Sequence, residues 1–327
     1  MSTMSSEDAD RMRAVVMAAF GDPEVLELTT LERPRPAAGE LLVRLHAAGT
    51  NPVETGKRRD GSWSGITLPA ILGSDASGVV AGIGAGVSEF HTGDEVFYMA
   101  DFLGDAPGTY AEYHAVPAEM VAAKPAGLTH VEAASLPVAA GTAWEVVGAR
   151  LSLRPGEWLL VHGAAGGVGG HAVQIAKSLG ARVIGSAGPG RAPYLHGLGA
   201  DVVLDHRAGD VAEAAAAAAG GELDAVADLV GDDLVSRVLP FVRERGRVAS
   251  ISRLEGDLSV ALDRNLTLHG VLVRPSRTLL ETIRRLVAAG VVKPLIDQVL
   301  PLERASAAHE RLETGHGTGK VVLEMAP

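Results

Sequence analysis

The segment WLLVHGAAGGVGGHAVQIAKSLGARVIGS, residues 158–186, decides the fold. It begins with an apolar strand, WLLVH, and continues through a glycine-rich loop into apolar residues at helical spacing. Gly180 ends the predicted helix, and a second apolar run, RVIGS, follows directly. A strand, a glycine loop, a helix and a second strand in this order are typical of a doubly wound α/β domain with a parallel sheet.

The glycines of this loop have the spacing that binding of a diphosphate requires. Gly166 lets the backbone approach a phosphate, Gly169 permits close packing of the helix on the strand, and the helix N-terminus offers unpaired N–H groups. Ala164 stands where the G-x-G-x-x-G pattern has its first glycine. The loop predicts a dinucleotide cradle, and a tight turn without a ligand is the alternative. The predicted contact residues are Ala165, Gly166, Gly167, Val168 and Gly169.

The end of the second strand predicts which dinucleotide binds. An Asp or Glu about 20 residues after the loop would bind the ribose 2′-hydroxyl of NAD. Ser186 and Ala187 stand there instead, so a 2′-phosphate is not repelled. The sequence therefore predicts NADPH, and the alternative is that the nearby cations are ordinary surface charges. The basic residues available to neutralise the phosphate are Lys177, Arg191, His206 and Arg207.

The rest of the chain divides into two patterns. Short β-like runs broken by Gly, Pro and Asp predict a barrel-like β domain, and the region after them alternates strands with helices. The alanine run 214–219 fits a crossover helix better than a linker, because alanine is the best helix former. We expect helix 278–289 and strand 320–325 to return to the first domain. The predicted domains are 11–132 with 272–327, and 133–271.

Composition excludes several classes of function. The net charge of -11 disfavours nucleic-acid and anionic-membrane partners. The absence of cysteine excludes disulfides, thiolate nucleophiles and cysteine-ligated zinc, and the 11 histidines show no close ligand spacing. The first ten residues, MSTMSSEDAD, are unlike a secretory signal, and no apolar run is long enough to span a membrane. We expect a cytoplasmic protein without a bound metal.

A family resemblance rests on the segment around the glycine loop and on several other stretches. The chain resembles the zinc-free quinone oxidoreductases, the zeta-crystallin-like branch of the medium-chain dehydrogenase/reductase superfamily. The positions of the family signature are filled by Gly156, Glu157, Leu160, Ala164, Ala165, Gly166, Gly167, Gly169, Gln174 and Lys177. Further matching stretches are NPVET (51–55), LPAILGSDASGVV (68–80), GTYAEY (108–113), LPVAAGTAW (136–144), GADVVLDHR (199–207) and GKVVL (319–323).

The resemblance implies a GroES-like β-barrel catalytic domain, a Rossmann domain that binds NADPH, and a homodimer with 267–273 as the edge strand. Zinc-dependent relatives carry a metal histidine after Gly73, where this chain has Ser74 and Asp75, so no zinc is expected. The residues implied to surround the cofactor, besides the glycine loop, are Asn51 and Thr142 at the nicotinamide, Lys177, Ser186, Arg191 and His206 at the 2′-phosphate, and Val230, Ser252 and Lys320 in flanking loops.

The catalytic residue is not identified by the sequence. Many relatives carry tyrosines shortly after the Asn-Pro stretch, but this chain has Gly56 followed by KRRDGSWSG. Asn51, Trp63 and Tyr98 are candidates, on the hypothesis that Val53, Trp63, Tyr98 and 271–273 line the cleft. For the proton donor, Lys57, Tyr98, Tyr110 and water remain open, as does a purely structural role for each side chain.

The predicted activity is zinc-free hydride transfer from NADPH to a quinone or an α,β-unsaturated carbonyl compound. Two alternatives stay open at this point. One is an enoyl-thioester reductase of the polyketide or fatty-acid type, and the other is an NADPH-binding protein without turnover. A short-chain reductase is disfavoured because no tyrosine has a lysine four positions later.

Overall fold

The computed structural model describes residues 10–231 and 233–326. It divides into two compact units. Within the described residues, unit 1 comprises 10–138, Arg274–Ala288 and 296–326, and unit 2 comprises Ala139–Val273 and Ala289–Leu295. Residues 1–9, on which the prediction about a secretory signal rests, lie outside the described part of the chain. The predicted domain bounds stay a prediction, since compactness alone does not define functional domains.

The strands of the described residues are β1 Arg11–Met17, β2 Leu26–Glu32, β3 Glu40–Gly49, β4 Ala70–Ile71, β5 Asp75–Ile83, β6 Glu95–Met99, β7 Tyr113–Pro117, β8 Val121–Ala123, β9 Trp158–His162, β10 Arg182–Ala187, β11 Val202–Asp205, β12 Leu223–Asp228, β13 Val242–Ser250, β14 Thr267–Gly270, β15 Ile296–Pro301 and β16 Lys320–Glu324. The α-helices are α1 Pro52–Asp60, α2 His130–Ala134, α3 Pro137–Ala143, α4 Gly167–Ser178, α5 Ala192–Gly197, α6 Val211–Ala219, α7 Leu234–Val238, α8 Ser259–Asp263, α9 Arg277–Ala288 and α10 Ala305–Glu313.

Unit 1 is built on two β-sheets. The larger has the strand order β15-β16-β3-β5-β6-β8, with β7 also pairing with β3, and the smaller has the order β2-β1-β4. Every pairing except β15 with β16 is antiparallel. Strand β3 alternates buried Val43, Leu45 and Ala47 with the less buried Arg44 and His46, as expected for a strand with one face on a core. This is the predicted GroES-like domain.

Unit 2 contains one parallel sheet with the order β11-β10-β9-β12-β13-β14. Counting from β9, this is the 3-2-1-4-5-6 order of a Rossmann domain, so the predicted fold class is confirmed. All five residues of β9 are buried, because helices cover both faces of a parallel sheet. The alanine run forms most of α6, and Ala212 and Ala215 pack into the core with residues of β9 and β12.

The helices of the described residues do not include one with both the length and the apolar character of a membrane span.

Candidate functional site

The glycine loop of unit 2 joins β9 to α4. Gly163, directly after β9, has a φ of +76°, a conformation that favours glycine, and it turns the chain sharply. Helix α4 begins at Gly167, and its N-cap residue, Gly166, has no side chain to cap the first turn. The N-terminus of α4 therefore keeps its positive potential and its N–H groups available for an anion.

Two glycines of this loop are required for different reasons. A Cβ on Gly169 would lie 2.2 Å from the carbonyl oxygen of Gly163 and 2.6 Å from Cα of Ala164, both backbone atoms. A Cβ on Gly166 would meet only the Gly163 oxygen, at 3.5 Å, which is ordinary contact. The packing of helix on strand thus demands glycine at 169. At 166 the protein itself tolerates a side chain, and a bound diphosphate would not.

The ends of β10 and β11 come together beside this loop. The N–H of His206 donates to the carbonyl oxygen of Ala187, at 3.1 Å, and a Cβ on Gly188 would lie 3.7 Å from the His206 ring. Arg191 is the N-cap residue of α5 and is half-buried, while His206 and Arg207 are exposed. These basic residues follow the carboxyl ends of parallel strands. Ligands of such sheets bind at the carboxyl ends.

Ser186 does not lie where a ligand could reach it. Its side chain is fully buried, and its Oγ shares a hydrogen bond with His162 Nδ1 at 2.6 Å. Its carbonyl oxygen accepts from the N–H of Ala164, at 2.9 Å. The expectation that Ser186 contacts the 2′-phosphate is therefore wrong for its side chain, which instead connects the ends of β9 and β10 beneath the loop.

Lys177 lies near the amino ends of the sheet strands, at the opposite end from the glycine loop. Its Nζ donates to Asp201 Oδ2 at 2.7 Å and to the carbonyl oxygen of Ala181 at 2.9 Å. Asp201 and Ala181 directly precede β11 and β10, so they mark the amino ends of these strands. Because Lys177 is in the last turn of α4, it is about 15 Å along the helix from the glycine loop. The structure does not bring Lys177 to the other basic residues.

The loops after β12 and β13 also meet at the glycine loop. The Asp228 carboxylate accepts from the N–H groups of Val230 and Gly231, at 3.2 Å and 3.1 Å, and this fixes the turn after β12. A Cβ on Gly163 would lie 2.7 Å from Val230 Cγ2, and one on Gly231 would lie 2.5 Å from Ser252 Oγ. Val230 and Ser252 are exposed here, whereas Thr142 is buried in α3.

Unit 1 holds two further predicted residues, Asn51 and Lys320, in a buried polar cluster with Glu54, Ser74 and Asp75. Asn51 is the N-cap of α1 and forms a capping box with Glu54. Its two Nδ2 hydrogens are shared among three acceptors, Asp75 Oδ2 at 3.0 Å and Ser74 Oγ and Glu54 Oε1 at 3.2 Å each. Its Oδ1 accepts from Lys320 Nζ. Since acceptors surround one side of the amide and an ammonium the other, its orientation is fixed.

Lys320 uses all three of its donors inside this cluster. Nζ donates to the carbonyl oxygen of Thr50 at 2.6 Å, to Asp75 Oδ2 at 2.8 Å and to Asn51 Oδ1. An ammonium group has three N–H donors and no acceptor. In this arrangement Lys320 holds Asn51 and the backbone before it, and it has no hydrogen left for a ligand.

Glu54 is a site residue that sequence reasoning missed. Burial raises its pKa above the ordinary value of a glutamate, against the opposing effect of the Lys320 ammonium. The Asn51-x-x-Glu54 spacing is a capping box and could have identified the pair from the sequence. What the spacing does not reveal is that this capping box is buried against Ser74 and Tyr110.

Comparison with known proteins decides the family. Residues 37–126 match the alcohol dehydrogenase GroES-like domain, and residues 198–323 match the zinc-binding dehydrogenase domain. Human quinone oxidoreductase is 33% identical, over 95% of this chain and 97% of its own length. The chain belongs to the zinc-free quinone oxidoreductase family of the medium-chain dehydrogenase/reductase superfamily. The NADPH-dependent alkenal/one oxidoreductase of Arabidopsis thaliana chloroplasts is 30% identical, over 97% of this chain and 80% of that protein.

Solved structures of the superfamily have the same fold as this quinone oxidoreductase family member. An NAD-dependent alcohol dehydrogenase superposes with a TM-score of 0.89 at 36% identity, covering 96% of this chain and 100% of that one. Quinone oxidoreductase from Escherichia coli, in complex with NADPH, superposes with a TM-score of 0.86 at 30% identity, covering 95% and 99%.

Ser74 and Asp75, at the place where zinc-dependent relatives carry a metal histidine, form hydrogen bonds to other groups of the protein. Ser74 donates to Glu54, and Asp75 accepts from Lys320 and from the N–H of Val138, at 2.7 Å. Within residues 10–231 and 233–326, no cluster of three or more His, Cys, Asp or Glu side chains is placed to hold a metal ion. The polar cluster of unit 1 has the chemistry of an ion-pair network.

Two catalytic candidates lie in opposite environments. Trp63, on the short helical turn Ser62–Ser64, is 56% exposed. Tyr98, on β6, is fully buried, and its hydroxyl is 2.9 Å from His114 Nδ1. Burial raises the pKa of Tyr98 well above the usual range. The hypothesis that Tyr98 lines a cleft is therefore wrong, because its side chain is enclosed in unit 1.

The alternative proton donors are also engaged with protein groups. Lys57 Nζ donates to the carbonyl oxygen of Phe102 at 3.0 Å, and burial lowers the pKa of Lys57. Tyr110 is fully buried, and its hydroxyl donates to Glu54 Oε2 at 3.1 Å. Neither side chain is presented to a ligand in this arrangement.

Proposed function

We propose that this protein catalyses zinc-free hydride transfer from NADPH to a quinone or an α,β-unsaturated carbonyl compound. The observation that carries the proposal is the uncapped N-terminus of α4 behind Gly166, beside a strand end without a carboxylate. Relatives named quinone oxidoreductase and NADPH-dependent alkenal/one oxidoreductase align over nearly the whole chain and support the same reaction class.

The cofactor, when bound, supplies the hydride, and the protein supplies binding and orientation. Gly166–Gly169 would hold the diphosphate through backbone N–H groups, and Val230 and Ser252 would flank it. Asn51, fixed by Lys320 and Asp75, would lie at the nicotinamide end. With Tyr98 and Tyr110 buried, a water molecule is the proton donor that the proposal favours.

The preference for NADPH rests on charge at the end of β10. Ala187 offers no carboxylate that would repel a 2′-phosphate. The basic side chains near it, at the carboxyl ends of β10 and β11, are Arg191, His206 and Arg207. Guanidinium groups bind phosphate through paired hydrogen bonds. The match to an NAD-dependent alcohol dehydrogenase makes a direct comparison of the two cofactors necessary.

The test is oxidation of NADPH and NADH by the purified protein, followed by loss of nicotinamide absorbance. Quinones, enones and enoyl thioesters are offered as separate acceptor classes. The proposal expects turnover with quinones or enones and faster turnover with NADPH. Tight NADPH binding without turnover on any acceptor would overturn it in favour of a non-catalytic NADPH-binding protein. Turnover with enoyl thioesters alone would show that the protein is an enoyl-thioester reductase instead of a quinone or enone reductase.

The proposal also includes a homodimer and a cytoplasmic location. Strand β14 is an edge strand of the parallel sheet, and an edge with unpaired backbone groups is a place for a second copy to add. Leu272, two residues beyond β14, is 56% exposed, so a second copy that pairs along this edge would have an apolar side chain to cover. Cell fractionation tests the location.

A further inference from the structure

The capping box of α1 is unusual because it is buried and extended by further groups. Glu54 is 1% exposed, and its carboxyl group accepts hydrogen bonds from the backbone N–H and the Nδ2 of Asn51. The hydroxyl groups of Ser74 and Tyr110 donate to the same carboxyl group. Two of the four donors thus come from Asn51, the residue proposed at the nicotinamide end.

A third side chain lies behind Tyr110. The Tyr110 hydroxyl is 3.2 Å from His309 Nε2, while His309 Nδ1 is buried without a partner in the described part of the chain. Burial and the neighbouring Arg58 lower the pKa of His309 to about 3, so its ring is neutral at ordinary pH. A Tyr110 hydroxyl can donate to an ionised Glu54, or it can accept from a protonated Glu54 and donate to His309. Both arrangements use the same heavy-atom positions.

The charged or titratable groups around Glu54, besides Tyr110, lie on four elements. Asp75 on β5 and Lys320 on β16 pair with each other at 2.8 Å, and Lys57 and Arg58 lie on α1 with Glu54. His309, on α10, is neutral. Because the Lys320 ammonium is satisfied by Asp75, Glu54 receives hydrogen bonds from neutral donors only. The Lys320 ammonium still attracts the Glu54 charge, but burial outweighs this attraction.

We propose that Glu54 is a positioning residue for the nicotinamide end: its carboxyl group holds the Asn51 amide, and gain of a proton, accommodated by Tyr110 and His309, loosens that hold. An ionised carboxylate accepts from Asn51 through charge-assisted hydrogen bonds, which are the stronger kind. Protonation weakens them, so NADPH binding falls in acid. This inference rests on the proposed function, since it takes Asn51 to contact the cofactor.

The first experiment measures the dissociation constant of NADPH by calorimetry from about pH 5 to about pH 8. The variants are Glu54→Gln and, as a matched control, Glu132→Gln. Glu132 occupies the same position in the exposed capping box of α2. We expect the wild type to lose roughly tenfold in affinity on acidification through a midpoint above the ordinary glutamate range, a ratio typical of one hydrogen bond to a charged group. The cofactor's own phosphate titrates equally in all variants.

The step should be absent in Glu54→Gln and retained in Glu132→Gln. His309→Leu removes the acceptor that the protonated arrangement needs behind Tyr110, so it should move the midpoint to lower pH. A step that persists unchanged in Glu54→Gln, or a midpoint that His309→Leu leaves in place, would overturn the inference. A merely structural role for Glu54 would weaken binding at every pH without removing the step.

A second readout needs no cofactor. The raised pKa of Glu54 means that the folded protein binds this proton more tightly than the unfolded chain does. Its stabilising contribution is present below the unfolded value and is lost as pH rises through the folded value. The melting temperature of the wild type should therefore fall relative to Glu54→Gln as pH rises, and a constant difference would also overturn the inference. If no variant binds NADPH at any pH, the proposed function fails while this readout still tests Glu54.

Discussion

At the scale of single residues, one glycine of the loop is required by the packing of the fold, and another is required only by the proposed ligand. Gly169→Ala places a Cβ against two backbone atoms that cannot move independently, and we expect a loss of about 1–3 kcal/mol of stability. Gly166→Ala places its Cβ in ordinary contact with the protein, so we expect a normal melting temperature and much weaker NADPH binding. Thermal unfolding and calorimetry on both variants check this, and an equal loss of stability in both would contradict it.

The same scale applies to the choice between NADPH and NADH. Arg191→Ala should weaken NADPH binding by roughly tenfold or more, because a hydrogen bond between charged groups is lost, and it should leave NADH binding unchanged. Arg154→Ala is a suitable control, since Arg154 is exposed in the same unit and precedes β9 rather than following β10. If Arg191→Ala weakened the binding of NADPH and of NADH equally, Arg191 would not contact the 2′-phosphate.

Single residues also show what the sequence can and cannot predict. Gly166 and Gly169 were predictable because their role depends on the local backbone and on a short spacing. Lys177 and Ser186 were misplaced because their roles depend on which edge of the sheet a residue faces and on what covers it. Tyr98 was misplaced because the sequence does not show that its hydroxyl meets His114 inside unit 1.

At the scale of elements, strand prediction succeeded where the apolar run was continuous and failed where a turn-like sequence continued a strand. The bounds of β9 are those expected from WLLVH. Strand β13 begins at Val242, five residues before the apolar run RVASIS, because Val242 pairs with Leu223; the register then shifts, and pairing resumes at Arg247. Local sequence marks such a stretch as a turn, and only tertiary pairing extends the strand.

Where α2 meets β3, two histidine rings make the packing sensitive to acid. His46 and His130 stack with ring centroids 4.4 Å apart. Burial, with a contribution from His46, lowers the pKa of His130 to about 4, and burial also lowers that of His46. The folded state therefore favours neutral rings. Their stabilising contribution is present above the ordinary histidine value and is lost as pH falls from about 6.5 through about 4.

His130→Gln should accordingly lose less stability than the wild type as the pH is lowered over that interval. Thermal unfolding as a function of pH measures the difference between the two proteins. His91→Gln is the control, because His91 is exposed and lies outside the stacked pair, and it should follow the wild-type curve. An acid-induced loss that is the same in all three proteins would exclude the stacked pair as its cause.

At the scale of the whole molecule, the edge of the parallel sheet at β14 is the place where a second copy of the chain could bind. Strand β14 leaves one edge of the parallel sheet unpaired within the described chain, and Leu272 follows it with more than half of its surface exposed. A second copy pairing along this edge would satisfy the backbone groups of β14 and cover Leu272. The edge at β11, by contrast, ends at the exposed Asp205.

Light scattering coupled to size-exclusion chromatography should therefore give the wild type a mass near twice the 33.7 kDa of one chain. Leu272→Asp should shift the protein to the monomer mass, because a carboxylate in a paired apolar edge is costly to bury. Leu28→Asp changes an exposed leucine on β2, which is also an edge strand, and it should leave the dimer intact. A monomeric wild type would mean that β14 stays unpaired in solution, and a monomeric Leu28→Asp would place the interface on unit 1 instead.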